Sequence, residues 1–210
     1  MRFYRTPALL QKIFPGLFWK LNPPAKTVYL TFDDGPMPGP TDFVLEQLAR
    51  HSATATFFCI GDNIRKHPST FEKILAGNHQ TGNHTFHHIN GWKTSATEYL
   101  RDVNHCQELL PSTSGKVLFR PPFGKLNPRH FAALEKMHIV MWDLLSYDFD
   151  SGCDPEKSLE QLKRLTRSGS IVVFHDSLKA EKNLKLILPP YLQFLTDSGF
   201  KVEKINLSKA

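Results

Sequence analysis

Thr27-Val28-Tyr29-Leu30-Thr31-Phe32-Asp33-Asp34-Gly35-Pro36 is the stretch on which the reading of this chain turns. Up to Phe32 it is apolar, aromatic or β-branched, the composition of a strand buried on both faces. Two adjacent carboxylates then stand at its end. Asp-Gly-Pro is ordinary turn chemistry, and a turn accounts for Gly35 and one acid. It does not account for a pair of acids behind an apolar strand, where desolvation and mutual repulsion both oppose ionisation. A cation relieves that repulsion, with one Asp binding it and the other free to act as a base.

The same pattern recurs outward from this stretch. Short apolar runs at 54–60, 79–83, 117–120, 139–143, 170–175 and 200–206 read as further strands. Helix-period segments at 41–51, 62–76, 95–110, 127–137, 155–167 and 181–198 lie between them. Thr41 is placed to cap the first helix, and Asp154-Pro155 gives a cap followed by Pro at the first helical position. Gly77 and Gly169 sit where helix ends favour a left-handed residue. Pro189-Pro190 predicts that 181–198 is two pieces. Strands that alternate with helices predict a parallel sheet, and about seven of them predict a single-domain α/β protein built as a distorted (β/α) barrel. An open doubly wound sheet is the alternative.

In parallel α/β folds sites form at the C-terminal ends of the strands, and the unusual polar residues collect there. Beyond Asp33 and Asp34, the stretch Gly82-Asn83-His84-Thr85-Phe86-His87-His88 places His84 and His88 four apart. One helical turn would set both rings on one face, at chelating distance. HxxxH alone is a weak signal, and His87 reads as a supporting residue. In Phe119-Arg120-Pro121-Pro122-Phe123-Gly124 the arginine is placed to orient a carboxylate. The two prolines make Phe123 N–H the first backbone donor after it, a candidate oxyanion donor. The strand Ile171-Val172-Val173-Phe174 ends in His175, a candidate general acid whose proton Asp148, or failing that Asp143, would hold. Asp176 reads as a turn or helix cap.

A chain of 210 residues suffices for one domain with a full core. The net charge of +6 favours an anionic partner, but the lysines are scattered with no basic stripe between aromatics, so no nucleic acid is expected. The three cysteines, Cys59, Cys106 and Cys153, show no CxxC spacing and are odd in number, which fits a reducing compartment. No apolar run approaches the roughly 18 residues of a membrane span, and no A-x-A cleavage site is evident. The expected location is therefore cytoplasmic or peripherally membrane-associated. Residues 1–24 are expected to form an amphipathic segment packed on a catalytic domain of residues 25–210. A peripheral membrane contact through residues 13–19 is the sharper reading, with Phe14, Leu17, Phe18 and Trp19 facing lipid.

Taken in order, TFDDGP, HTFHH, RPPFG, the Asp148 segment and the strand ending in His175 resemble the NodB-homology polysaccharide deacetylases, carbohydrate esterase family four. The resemblance covers roughly residues 26–206. It implies a distorted barrel and a divalent metal, zinc before cobalt, manganese or nickel. It further implies Asp33 as general base, Asp34, His84 and His88 as metal ligands, Arg120 as the residue orienting Asp33, Phe123 N–H as oxyanion donor, and Asp148 tuning the acid His175. The implied reaction removes N-acetyl groups from an amino-sugar glycan and releases acetate. Four positions depart from the family pattern: Leu145 and Phe149 around the fourth motif, Val173 in the fifth and Phe123 in the third. They bear on the groove wall, hence on the substrate. Hydrolysis of another small amide, imide or acetyl ester is the alternative chemistry, and an inactive glycan-binding protein the alternative of another class.

Overall fold

Strand β1, Thr27–Asp33, is buried along its whole length and lies at the centre of a parallel sheet. On one side it pairs β2, Thr56–Cys59, and on the other β7, Ile171–His175. The register sets Asp33 beside Phe58 and His175. Next to β2 come β3, Gln80–Asn83, β4, Val117–Phe119, and β5, Met137–Ile139; next to β7 comes β6, Leu144–Leu145. A short β8, Lys201–Val202, pairs the start of β1. The computed structural model describes residues 2–112 and 116–207; Met1 of the N-terminal segment and residues 113–115 and 208–210 of the larger expected domain lie outside them.

The two ends of the sheet, β5 and β6, belong to one extended stretch of chain, and this makes the sheet a distorted barrel. Val140 N–H donates to Phe119 on the β4 side, while Asp143 and Ser146 N–H donate to Ile171 and Val173 on the β7 side. The strand expected over 139–143 is therefore split, because the chain changes partner midway. The N-terminal segment covers the split. Phe18 exchanges bonds with Ile139 and Met141, and Tyr4 and Thr6 bond Leu145 and Asp143. Arg5 also pairs with Asp143, the acid held open as a partner for His175.

Period-2 alternation sorts the β1 side chains. Val28, Leu30 and Phe32 pack outward against the helices, with Val44, Leu48, Leu188 and Tyr191 in the same cluster. Tyr29 faces inward among Phe58, Leu118, Val140 and Ile171, and Thr31 and Asp33 share its face. Burial of each such aromatic or aliphatic side chain contributes roughly 1.5–3 kcal/mol. The barrel interior is thus a packed core below and a polar site above.

Among the helices, α2 spans Pro40–Arg50, α5 Ala96–Gln107 and α6 Pro155–Leu165. Asp154 accepts from Lys157 N–H as the cap of α6. Thr41 is not a cap: α2 starts one residue earlier, and the Thr41 hydroxyl turns to Asp176. The segment 62–76 divides into α3, Gly61–Lys66, and α4, Pro68–Ala76, because Pro68 supplies no N–H and disfavours helix at His67. Gly77 has φ −74°, and Asn78 takes the left-handed position instead. The helix expected at 127–137 is two 3₁₀ turns, Pro128–His130 and Ala132–Leu134. β5 begins at Met137, leaving too few residues to sustain an α-helix. Conversely, α7, Glu181–Asp197, runs unbroken through Pro189-Pro190. Leu184, Ile187 and Leu188 before the prolines and Tyr191, Leu192 and Leu195 after them are all buried, which pins both halves to one surface.

The N-terminal segment carries a short helix α1, Ala8–Ile13, with no buried residue. Trp19, expected to face lipid, is 6% exposed and packs in the core, its indole N–H donating to Phe14. Phe14 and Leu17 pack against the same cluster. The apolar side chains left exposed here are Phe3, Leu9, Leu10 and Ile13. Among the described residues no helix is long and apolar enough to cross a membrane.

Candidate active site

Asp33 ends β1 on the barrel's inner face and is 4% exposed. Arg120, one residue past β4 and fully buried, reaches it through Nη1 at 2.7 Å. The same nitrogen donates to Thr31 Oγ1, Nε donates to the Val140 carbonyl and Nη2 to the Met141 carbonyl. A buried guanidinium is costly unless every donor is used. Here its remaining donors satisfy carbonyls at the split in the barrel, so one side chain both closes the sheet and fixes the Asp33 carboxylate.

Asp34 is placed differently. Its φ is 81°, a left-handed conformation that turns the side chain out of the strand direction. Asn63 donates to its carbonyl at 2.7 Å. Behind it, the buried Asp176 accepts from Gly35 N–H at 3.0 Å and from Thr41 Oγ1 at 2.5 Å. Only glycine fits at position 35, since a Cβ there would lie 2.0 Å from the Asp176 carboxylate. Burial pushes Asp176 up to about 7, with the Thr41 bond opposing and the Asp34 charge adding to the rise. Asp176 thus holds the Asp34 loop, a larger part than a generic cap.

His84 and His88 come together with Asp34, but not on a helical turn. The segment 84–90 is a loop in which Thr85 and His88 have φ of 64° and 56°. Asp102 of α5 gathers it: one carboxylate oxygen accepts from Phe86 and His87 N–H, and the other lies 2.5 Å from His87 Nδ1. Asn83 accepts from Thr85 N–H. His84 Nε2 lies 3.7 Å and His88 Nε2 3.2 Å from Asp34 Oδ1. Asp102 was not anticipated from sequence. The signal was there: it stands on the buried stripe of α5 formed by Tyr99, Val103 and Cys106, where an acid needs a reason.

The donor set fits a divalent cation. One oxygen of Asp34 and one nitrogen from each histidine lie within 4.8 Å of one another. His84 Nδ1 donates to the Arg120 carbonyl at 2.7 Å, so the neutral ring presents Nε2 as a lone pair. Burial lowers His84 to about 4, the neutral form a ligand requires, against the pull of the Asp33 charge. Burial alone would raise Asp34, but the His88 bond and the facing histidines hold it well below the usual carboxylate range. Three donors leave positions open for water and substrate.

Across the cavity stands His175 at the end of β7. Its Nδ1 lies 2.8 Å from Asp148 Oδ1, and its N–H donates to Asp148 Oδ2 at 2.7 Å. Ser146 donates to the fully buried Asp148, and Asn183 donates to its carbonyl. Burial would lower His175, yet the Asp148 charge and bond, with Asp34 and Asp33 behind them, raise it to about 9. Asp143 is engaged by Arg5 and Ser170 instead. Phe123 adopts φ 61° in the rigid Pro121-Pro122 loop, and its exposed ring lies 4.5 Å from the His88 ring.

Asp33, Asp34, His84, His88, Phe123 and His175 line one cavity of about 450 Å³ with Trp142, Leu145, Phe149 and Val173. All four positions that depart from the family pattern, Phe123, Leu145, Phe149 and Val173, are in its wall. Five of the seven non-glycine residues with positive φ among the described residues, Asp34, Thr85, His88, Phe123 and Tyr147, are at or beside it. Strained backbone of this kind costs about 1–3 kcal/mol each and concentrates where geometry is functional.

Fold and site together define a barrel protein with an Asp-His-His donor set at the C-terminal ends of its strands. The sequence pattern described as polysaccharide deacetylase matches residues 20–142, and the chain belongs to that family. The peptidoglycan-N-acetylmuramic acid deacetylase PdaC of Bacillus subtilis (strain 168) is 27% identical over 188 residues, covering 89% of this chain and 39% of that protein. The chain therefore spans about two fifths of that relative. The solved structure of PdaC superimposes with a TM-score of 0.77, covering 90% of this chain and 91% of that one. The chitooligosaccharide deacetylase of Azorhizobium caulinodans is 32% identical over 155 residues, 71% of this chain and 73% of that protein. A family-four carbohydrate esterase pseudoenzyme from Bacillus anthracis, at 25% identity, superimposes with a TM-score of 0.76 over 89% of this chain and 66% of that one.

Proposed function

We propose that the chain is a divalent-metal-dependent hydrolase that removes N-acetyl groups from an N-acetylglucosamine-type glycan and releases acetate. The observation that carries this reading is the meeting of Asp34, His84 and His88 beside a second carboxylate, Asp33, that Arg120 holds apart from them. The names of the relatives, deacetylases of peptidoglycan and chitooligosaccharide, support the substrate class.

In this reading Asp34, His84 and His88 hold the ion, with zinc as the proposed identity. When bound, such an ion polarises a carbonyl and lowers the pKa of water to around 7. Asp33, oriented by Arg120, takes the proton from the attacking water. The Phe123 N–H, the first backbone donor after Arg120 in the rigid Pro121-Pro122 loop, would donate to the oxygen that becomes anionic. His175, held protonated by Asp148, gives its proton from Nε2 to the departing amine nitrogen. The apolar wall of Trp142, Leu145, Phe149 and Val173 shields the acetyl group from bulk water.

The test is acetate release by metal-loaded protein from a panel of acetylated amino sugars and acetyl esters. Release from N-acetylglucosamine oligomers ahead of esters is the expected result. Release from esters or small amides alone would move the assignment to the alternative chemistry, and release from none, with glycan still bound, to an inactive binding protein.

A further inference from the structure

We infer that helix α1 and the apolar groove beside it form a docking face for a membrane surface rich in anionic lipid, at the end of the barrel away from the donor set. The helix has six residues, and its period puts Leu9, Leu10 and Ile13 on one stripe. Leu9 is 69% exposed, Leu10 39% and Ile13 58%. Gln11, on the other side of the helix, is half-buried and donates from Nε2 to the Thr6 carbonyl at 3.2 Å. Thr6 N–H in turn donates to the Asp143 carbonyl, so the barrel itself holds the stripe outward. An isolated helix this short is unstable in water. Here it is ordered before it meets a partner, which lowers the entropy lost on docking.

Ile13 also lines a groove of about 610 Å³. Phe14 and Leu17 of the N-terminal segment line it with Phe131, Leu134 and Met137, and its polar members are Lys116, Glu135 and His138. Lys116 directly precedes β4 and Met137 opens β5. The groove therefore lies at the N-terminal ends of the strands, whereas Asp34, His84 and His88 stand at the C-terminal ends.

Charge decides what covers this surface. Lys12 stands at the edge of the stripe, Lys116 lines the groove, and Lys20 and Lys136 closely follow the lining residues Phe18 and Glu135. All four lysines are exposed and make no ion pair among the described residues. Glu135 is the one acid among the described residues of the groove, and the whole chain carries a net +6. An apolar stripe bordered by unpaired lysines matches the interface of an anionic bilayer. Apolar side chains enter the acyl boundary there, and ammonium groups stay among the headgroups. A second copy of the chain would instead set like charges against each other. Docked through this face, the barrel turns its Asp-His-His cavity away from the bilayer.

The experiment is flotation of the full chain with vesicles of phosphatidylcholine alone, and of phosphatidylcholine and phosphatidylglycerol in equal parts. Wild type is expected to float with the mixed vesicles, to stay behind with phosphatidylcholine alone, and to be released by high salt. Leu9→Ser with Ile13→Ser is expected to lose at least about tenfold in affinity for the mixed vesicles, and Lys12→Gln with Lys116→Gln about tenfold. Leu178→Ser, at a leucine 64% exposed beyond the C-terminal end of β7, is expected to bind as wild type does. Thermal unfolding checks that each variant is folded, and the lysine pair decides alone if the apolar pair is not. Absence of wild-type binding, equal binding to both vesicles, or binding indifferent to the substitutions would overturn the docking face. So would a dimer, in place of vesicle binding, that Leu9→Ser with Ile13→Ser splits.

Discussion

Asp33 and Asp34 are neighbours in sequence and opposites in the fold. Asp33 is part of a strand, sealed under a fully buried arginine whose other donors hold the barrel together. Asp34 is the first residue of a loop, in a left-handed conformation, facing two imidazoles that also stand on a loop. The strand supplies a carboxylate fixed by Arg120; the loops supply the proposed ligands, whose positions depend on supporting residues, Asp176 for one side and Asp102 for the other. A reaction that needs a fixed base beside an ion that exchanges water and substrate is served by this division.

The sharpest way to break the comparison is to exchange the fates of the two halves. His84→Ala and His88→Ala are expected to lose bound metal and all activity, read by elemental analysis and acetate release. Asp33→Asn is expected to keep its metal while kcat falls by about 10²–10⁴-fold, the range for losing a positioned base. Metal retained in both histidine variants, or full turnover in Asp33→Asn, would reverse the assignment of the two carboxylates.

A smaller effect tests the support of the loop half. Asp102→Ala removes the acceptor for Phe86 N–H, His87 N–H and His87 Nδ1. Metal affinity is expected to fall about 10–100-fold, as for other residues that orient ligands. The Asp33 and Arg120 geometry should stay as it is, and unchanged metal affinity would mean that the loop holds its shape without Asp102.

The smallest effect is a shift in pH dependence. His175 is raised to about 9 by Asp148, so its acid form persists to alkaline pH; a bound cation nearby brings that value down. The alkaline limb of activity is therefore expected at or below about pH 9, and in Asp148→Asn it moves to lower pH. The same pair contributes stability that is fully present below about pH 6.5, the ordinary histidine value, and is lost as pH rises through about 9. An alkaline limb unmoved in Asp148→Asn would detach it from His175.

What was legible in the sequence follows from the same division. Strand-borne features could be read directly: an apolar run ending in Asp33, another ending in His175, and an arginine ending the run at 117–120 each carry their own anomaly. Loop-borne geometry could not. The spacing of His84 and His88 suggested a helix, whereas two left-handed residues and an acid on α5 bring the rings together. The covering of the barrel split by Tyr4, Thr6 and Phe18 depends on bonds between segments more than a hundred residues apart, which no local pattern encodes. Pro189-Pro190 misled in the other direction, because the buried face of α7 outweighs two prolines that each cost a helix roughly 3 kcal/mol in lost bonding and steric clash. The substrate is the least legible part, since Leu145, Phe149, Val173 and Phe123 depart from the family pattern in the wall that would touch it.

Anomalous diffraction at the zinc edge from crystals of the zinc-loaded protein tests the account most directly. We expect one strong peak about 2.0–2.2 Å from an Asp34 oxygen and from Nε2 of both His84 and His88, with Asp33 outside the coordination sphere and still paired to Arg120. A peak held by Asp33, or an ion bound away from these three residues, would contradict it.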